Sequence, residues 1–329
     1  MTSRDDRIEG VLLGTAAGDA LGAPYEFQPP RGKELDVTMT SGGPWKAGEW
    51  TDDTAMAVAI AEVAATGADL LDPAAQDAVV RRWYQWSLGA KDVGIQTRKV
   101  LTAAARYGAI TADRARSASA ALHEQTGHTA GNGSLMRTAP VALAYLDDEA
   151  AMVVAARAIS ELTHFDPDAG DACVLWCSAI RHAVRTGELD VRVGLGNIDS
   201  ARRELWMGRL DAAEDGAPAT FPNNGWVVAA LQAAWSAIAT TAVPADDPVA
   251  EIHPADHLHL ALDAAVRAGF DTDTVAAIAG GLLGAAYGAS AVPPPWYDLL
   301  HGWPGLTARD LAALAGSIAT PGNSAPPVG

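Results

Sequence analysis

Two series of glycines, each spaced every four residues, set the tightest limit on how this chain can fold. Gly10, Gly14, Gly18 and Gly22 form the first series, and Gly280, Gly284 and Gly288 form the second. Both lie in apolar stretches with helical periodicity, where a glycine costs roughly 1 kcal/mol against alanine. The i, i+4 spacing puts each series on one stripe of its helix, and the missing side chains permit close helix approach. The pattern predicts that the first helix and the helix beginning at Val275 are central, tightly packed and near each other. That would bring the segment after Gly22 close to the residues preceding Val275.

Helical periodicity runs nearly throughout. Helices are predicted over 8–22, 54–65, 74–86, 97–107, 149–162, 168–186, 225–240, 258–268 and 275–289, with alanine, the best helix former, dominating them. Strictly alternating Val, Ile and Thr runs are missing, apart from a weak strand signal over 35–39. The expected fold class is all-α, a compact single-domain multi-helix bundle. Breaks such as Pro29-Pro30-Arg31-Gly32 and Pro293-Pro294-Pro295 are too short for an interdomain linker. One domain over 1–319 is expected, followed by a frayed C-terminal tail over 320–329.

The 329 residues carry 23 Lys plus Arg against 40 Asp plus Glu, a net charge of −17. No basic field is present to draw in phosphates, so nucleic acid and anionic membrane are excluded as partners. Residues 275–292 are uncharged and reach the lower limit of a membrane span, but they are weakly apolar Ala and Gly behind two aspartates. A buried core helix fits that stretch better. No signal-peptide apolar region opens the chain. Cys173 and Cys177, one turn apart in an apolar segment, read as buried thiols in a reduced compartment. A cytoplasmic monomer is expected.

The chemistry concentrates in two acidic runs, Thr51-Asp52-Asp53-Thr54 and Asp271-Thr272-Asp273-Thr274, each just before an Ala-rich stretch. Asp and Thr cap helices by accepting free N–H groups, yet one such residue would suffice at each start. Two readings stay open. The runs are independent caps, or they meet as an oxygen-rich pocket suited to Mg²⁺, Mn²⁺ or Ca²⁺.

Several segments in order resemble the ADP-ribosylglycohydrolase family, in the branch that includes the dinitrogenase reductase-activating glycohydrolases. They are Gly18-Asp19-Ala20-Leu21-Gly22 with Glu26, the 51–54 run, Asp92-Val93-Gly94, Gly131-Asn132-Gly133-Ser134-Leu135-Met136-Arg137, Thr163-His164 and the 271–274 run. The resemblance implies a compact all-α hydrolase holding two divalent cations, Mg²⁺ or Mn²⁺, in a shell of Thr51, Asp52, Asp53, Asp271, Asp273 and Thr274. It implies cleavage of the glycosidic bond between ADP-ribose and a modified protein side chain, arginine first. ADP-ribose and an ADP-ribosylated protein are the partners so implied. Glu26 becomes the acid/base candidate, in an apolar neighbourhood that would raise its pKa, and Asp53 a group able to orient water.

Asp92 is implied at the leaving side, where a carboxylate could pair with a guanidinium; a helix N-cap is its equal alternative. Gly131, Asn132, Gly133 and Ser134 look like a backbone N–H cradle for the diphosphate, with Met136 and Arg137 beside it. Arg137 either adds charge there or ties the loop to an acidic neighbour. The resemblance puts His164 beside the ligand and makes Trp226 the choice for stacking on adenine. Trp83, Trp86, Trp176 and Trp235 sit at core spacing and read as packing. His253, His257 and His259 have metal-like spacing but no completing ligand, and read as a loop and helix start. Competing functions are a non-catalytic ADP-ribose binder or structural relative, and a hydrolase for serine-linked or small-molecule ADP-ribose.

Overall fold

The computed structural model describes residues 2–319, so the expected tail at 320–329 lies outside the described residues. Fourteen α-helices appear among them: α1 Arg4–Gly22, α2 Asp52–Ala64, α3 Pro73–Ser87, α4 Ile95–Ala105, α5 Ala112–Thr126, α6 Ala139–Ala144, α7 Glu149–Glu161, α8 Pro167–Thr186, α9 Ser200–Asp215, α10 Val227–Thr240, α11 His257–Val266, α12 Thr272–Tyr287, α13 Pro294–Leu299 and α14 Ala308–Ala319. A two-residue hairpin, β1 His301–Gly302 with β2 Leu306–Thr307, is the one sheet among the described residues. The chain is all-α, as its periodicity predicts.

The glycine stripes do what their spacing implies. α1 and α12 run antiparallel in backbone contact, so that a Cβ added at Gly14 would stand 2.1 Å from the Gly280 oxygen. At Gly284 it would stand 1.8 Å from the Gly10 oxygen. Ordinary contact begins at 3.4 Å, so only glycine fits either place. α8, α10 and α11 pack around α12, and α14 lies on α1. The 275–292 stretch is thus core, and no helix among the described residues is long and apolar enough to cross a membrane.

Helices α5 and α9 escape the periodicity because they bury so little. α5 covers only Ala112, Ala115 and Ser119, and α9 only Trp206, Leu210 and Ala213. The weak strand signal at 35–39 is not realised. The Tyr25 hydroxyl accepts the Thr38 N–H and donates to the Thr38 carbonyl, both at 2.9 Å, which occupies the backbone a ladder would need. Trp83 and Trp176 are fully buried, their indole N–H groups donating to Met56 and Ile278 carbonyls at 3.0 and 2.9 Å. Cys173 and Cys177 are free buried thiols, their pKa values pushed up by burial. His257 packs as structure, its Nε2 donating to the carbonyl oxygens of Ile238 (3.1 Å) and Thr241 (3.0 Å) and its Nδ1 lying 2.9 Å from the Tyr287 hydroxyl.

Candidate active site

Close packing of α1 on α12 decides where the acids go. α1 ends at Gly22, where an added Cβ would lie 2.4 Å from the Cα of Asp273. The Thr272 hydroxyl donates to the Gly22 carbonyl at 2.9 Å and fixes the two helix ends together. The start of α2 is tied to the same place by Asp19, the one charged residue of α1 between Val11 and Gly22. Its carboxylate accepts the Thr51 N–H (2.8 Å), the Thr54 N–H (2.9 Å) and the Thr54 hydroxyl (2.6 Å). Asp19 therefore caps α2 from another helix, and Thr51 makes no side-chain cap of its own. Asp271 likewise makes none at α12. The reading of two independent caps is overturned: the runs meet.

Two groups of carboxylates result. In each of Asp19–Asp53–Asp273 and Glu26–Asp271–Asp273, ligand oxygens lie within 4.8 Å of one another. Asp273 belongs to both. Thr51 reaches in, its hydroxyl 3.0 Å from Asp53 Oδ2 and 3.5 Å from Asp273 Oδ2. Asp52 stands beside these groups but enters neither, and Thr274 lines the adjoining cleft. Burial pushes Asp19 up to about 6 and Asp52 to about 7, the latter with help from the charge of Asp92. Asp53 and Asp273 are raised well above the carboxylate range by burial and by neighbouring acids, and Asp271 is raised by burial. Buried Asp53 Oδ1 has no hydrogen-bond partner. An all-oxygen set, mutually repelling and with an orphaned buried acceptor, fits a hard divalent cation.

Glu26 follows a short 3₁₀ turn that continues α1. Its pKa is raised to about 8 by burial first and then by Asp271, Asp52 and Asp92. Its backbone neighbour Phe27 and the residue before Asp271, Phe270, both take left-handed backbone (φ 62° and 61°). They are joined by Phe27 N–H to Phe270 O (2.6 Å) and Phe270 N–H to Gln28 O (2.7 Å). This strained pairing holds Glu26 against Asp271.

The acids open into a cleft of about 500 Å³, whose other walls include Asp92, Gly94, Gln96, Gly133 and His164. Asp92 turns back on its own neighbour, accepting the Val93 N–H at 2.7 Å, and Gly94 is the N-cap of α4. The N-cap reading of Asp92 is therefore not met. Asn132 is a brace as well as a wall, donating from Nδ2 to Asp271 Oδ2 and to the Asn224 carbonyl, both at 2.8 Å. Its own N–H is taken by Gly225 O at 3.1 Å, so the 131–134 loop offers less of a backbone cradle than its sequence suggests. Met136 lines the cleft floor with its sulfur 4.0 Å from the Thr274 hydroxyl.

Arg137 and Ser134 do not line the cleft. Arg137 is fully buried, and its guanidinium meets an aromatic ring and a hydroxyl rather than a carboxylate. Its guanidinium lies 3.8 Å from the centre of the Trp83 ring and donates to the Thr163 hydroxyl at 2.6 Å. Burial lowers its pKa to about 9. Ser134 is buried beneath the loop beside Cys173. The Thr163 Oγ1 also lies 2.7 Å from His164 Nδ1, so its proton can meet that nitrogen. His164 is held neutral by burial, then by Arg137, and its Nε2 faces Gly131 and Gly133. Trp226 sits one step along, in a neighbouring hollow with Gln96, Gly131 and Asp168, and Arg209 lies 5.7 Å from its ring centre.

Three residues carry structure that sequence reasoning gave no role. Asp19 was visible as a lone charge in an apolar helix. Asn224 accepts the Asp271 N–H (3.2 Å) and donates to Gly269 O (2.9 Å). Gln96 donates to the Thr129 and Thr163 carbonyls at 3.0 and 2.8 Å. Neither amide stands out from the chain around it.

Fold and site together define an all-helical protein with a carboxylate-rich cleft at the meeting of its first and twelfth helices. The chain belongs to the ADP-ribosylglycohydrolase family, whose model matches residues 1–325. It is thereby a hydrolase. It is 30% identical over 303 residues to ADP-ribosylarginine hydrolase Tri1 of Pseudomonas putida, covering 89% of this chain and 74% of that one. It is 28% identical over 307 residues to ADP-ribosyl-[dinitrogen reductase] glycohydrolase of Rhodospirillum rubrum, covering 90% of each. A solved structure titled "ADP-ribosylglycohydrolase-related protein complex" superposes with a TM-score of 0.69 at 28% identity, over 97% of this chain and 99% of that chain.

Proposed function

We propose that this protein hydrolyses the bond between ADP-ribose and a modified protein side chain, with arginine as the acceptor. The observation that carries the reading is the convergence of both acidic runs and Glu26 at one cleft in a chain of this family. Asp19, Asp53 and Asp273 would hold one divalent cation, Mg²⁺ or Mn²⁺, and Asp271 and Asp273 would help hold a second, with Thr51, Asp52 and Thr274 alongside and Glu26 at the edge. Cations bound there supply charge that polarises ribose hydroxyls and lowers the pKa of water.

The remaining work belongs to the chain. Glu26, at the edge of the acids and facing the cleft, can pass a proton to the departing nitrogen. Water adds to the ribose carbon as the carbon–nitrogen bond breaks, and its proton returns to a carboxylate, Glu26 or Asp53. His164, with the Nδ1 lone pair engaged by Thr163, can donate from Nε2 to the nucleotide part. Gly131, Asn132 and Gly133 shape that side, Met136 its floor, and Trp226 offers a ring for adenine. Packing of α1 on both α12 and α14 supports one folding domain from end to end, and we place the protein as a monomer in the cytoplasm.

Pure protein with Mg²⁺ and an ADP-ribosyl-arginine protein should release free ADP-ribose, read by chromatography. No release from arginine-linked, serine-linked or small-molecule substrates would sink the activity.

A further inference from the structure

The outward face of α4 leads from the cleft to a separate hollow of about 1150 Å³. The first turn of α4, Ile95, Gln96 and Thr97, walls the cleft. The residues that follow, Arg98 and Lys99, line the hollow, with Arg106 and Tyr107 at the helix end and Tyr84 and Leu88 opposite, at the end of α3. α4 buries Thr97, Val100, Leu101 and Ala104, so the four-residue spacing of Arg98, Thr102 and Arg106 lays a polar stripe along its exposed side.

The hollow is basic in an acidic chain. The chain holds 40 acids against 23 bases, yet three bases and no acid line this surface among the described residues. None of the three makes a side-chain hydrogen bond or ion pair among the described residues, and Arg106 meets only the Tyr107 ring, 5.2 Å from its centre. Tyr107, Leu88 and Ile95 stand around them 79%, 72% and 77% exposed. Large apolar side chains gathered beside unpaired cations suit an acidic protein partner better than bare solvent. A nucleic acid fits less well, since a net charge of −17 repels a long polyanion beyond the few phosphates that three bases can meet.

We infer that this hollow docks an acidic segment of the protein whose modified side chain enters the cleft. The inference rests on the reading that the cleft removes ADP-ribose from a protein. A substrate chain entering there meets α4, because Ile95 both walls the cleft and stands exposed. From Gln96 to Arg106 the helix rises roughly 15 Å, the reach of about five extended residues. Acidic residues within that distance of the modified one then meet Arg98, Lys99 and Arg106, and apolar neighbours meet Leu88 and Tyr107.

Fluorescence anisotropy with an unmodified, labelled peptide carrying about five glutamates beside one arginine tests the surface without turnover. Saturable binding at low salt is expected, weakened about tenfold in the triple variant Arg98→Gln, Lys99→Gln and Arg106→Gln, since each exposed pair is worth a factor of about two. Added salt should weaken the wild type and barely move the variant. With the ADP-ribosylated form of that peptide the variant should raise KM about tenfold and keep kcat. Hydrolysis of ADP-ribosyl-agmatine, too small to reach the hollow, should be unchanged and serves as the control for folding. Peptide binding that is absent, or equal in wild type and variant, overturns the docking surface. Tighter capture of a labelled single-stranded oligonucleotide overturns it too, as does a dimer of this chain that the triple variant abolishes. Equal kcat/KM in wild type and variant on the acidic peptide sinks the docking and spares the hydrolase. Absence of turnover on every substrate sinks the hydrolase, and the anisotropy series still decides whether the hollow takes an acidic chain.

Discussion

Replacing Gly22 with alanine tests whether helix contact sets the spacing of the carboxylates. The new Cβ would stand 2.4 Å from the Asp273 Cα and 2.5 Å from its nitrogen, where ordinary contact begins at 3.4 Å. The shortfall is about 1 Å, and the atoms in the way are backbone, so no rotamer change relieves it. Overpacking of this kind costs about 1–3 kcal/mol, offset in part by the roughly 1 kcal/mol that alanine gains over glycine in a helix. A melting temperature lower by on the order of 2–4 °C follows for a chain of this size. Activity should suffer far more. A shift of about 1 Å at Asp273 moves both carboxylate groups at once, and displacements of that size cost on the order of 100-fold. Differential scanning calorimetry and ADP-ribose release from an arginine-modified protein measure the two effects. Gly208→Ala, on exposed α9 with nothing within 4 Å of its added Cβ, is the control and should stabilise by about 0.5–1 kcal/mol. If Gly22→Ala melts with the wild type and keeps kcat/KM within twofold, the close approach is not what positions the acids.

Asp53→Asn removes a buried charge whose Oδ1 has no partner, so the chelator-treated variant should be more stable than wild type by about 1–3 kcal/mol and lose its Mg²⁺-dependent rise in melting temperature. An unchanged Mg²⁺ response would refute the role. In chelator, stability should fall as pH rises from about 4 to about 8. Asp19, Asp52 and Glu26 stand near 6, 7 and 8 in the folded protein against 3.8, 3.8 and 4.5 ordinarily, so the folded state binds more protons across that window. Saturating Mg²⁺ should flatten the slope, and equal slopes with and without it would count against a cation at the acids. Thr163→Val removes the hydroxyl that joins Arg137 to His164 and should weaken ADP-ribose binding roughly tenfold. It should also shift the ¹⁵N signals of His164 away from a single tautomer; signals that stay put would show that Thr163 does not set it.

Much of the frame was legible because the signals were periodic or redundant. Seven glycines at a four-residue spacing specify a backbone-to-backbone contact, and that contact alone implies that Glu26 approaches Asp271. Helices α5 and α9 were not legible, since each shows the core only a few small or widely spaced side chains. In the loop at 131–134 the Asn132 N–H is less free than it reads, for a different reason. Asn-Gly-Ser reads as free backbone donors, yet whether a donor is free depends on a distant carbonyl, here Gly225. Arg137 reads equally as a charge beside the ligand or a tie to an acidic neighbour, and only packing shows it stacked on Trp83. Local sequence records what a residue can bond, and the fold decides what remains unbonded.

Asp19 shows how far that distinction reaches. A helix start needs acceptors, and the Thr-Asp-Asp-Thr run carries enough of them to serve itself. Because α1 lies against the start of α2, the acceptor comes instead from Asp19, which takes two N–H groups and a hydroxyl there. Capping from outside leaves Asp52 and Asp53 with no duty to their own helix. Asp53 then leaves one oxygen without a partner, and Asp52 lines the cleft near the charge of Asp92. Buried carboxylates released from structural bonds are costly unless a proton or a cation neutralises them. The fold thus concentrates charge that its own hydrogen bonds do not satisfy, beside a cleft open to a ligand.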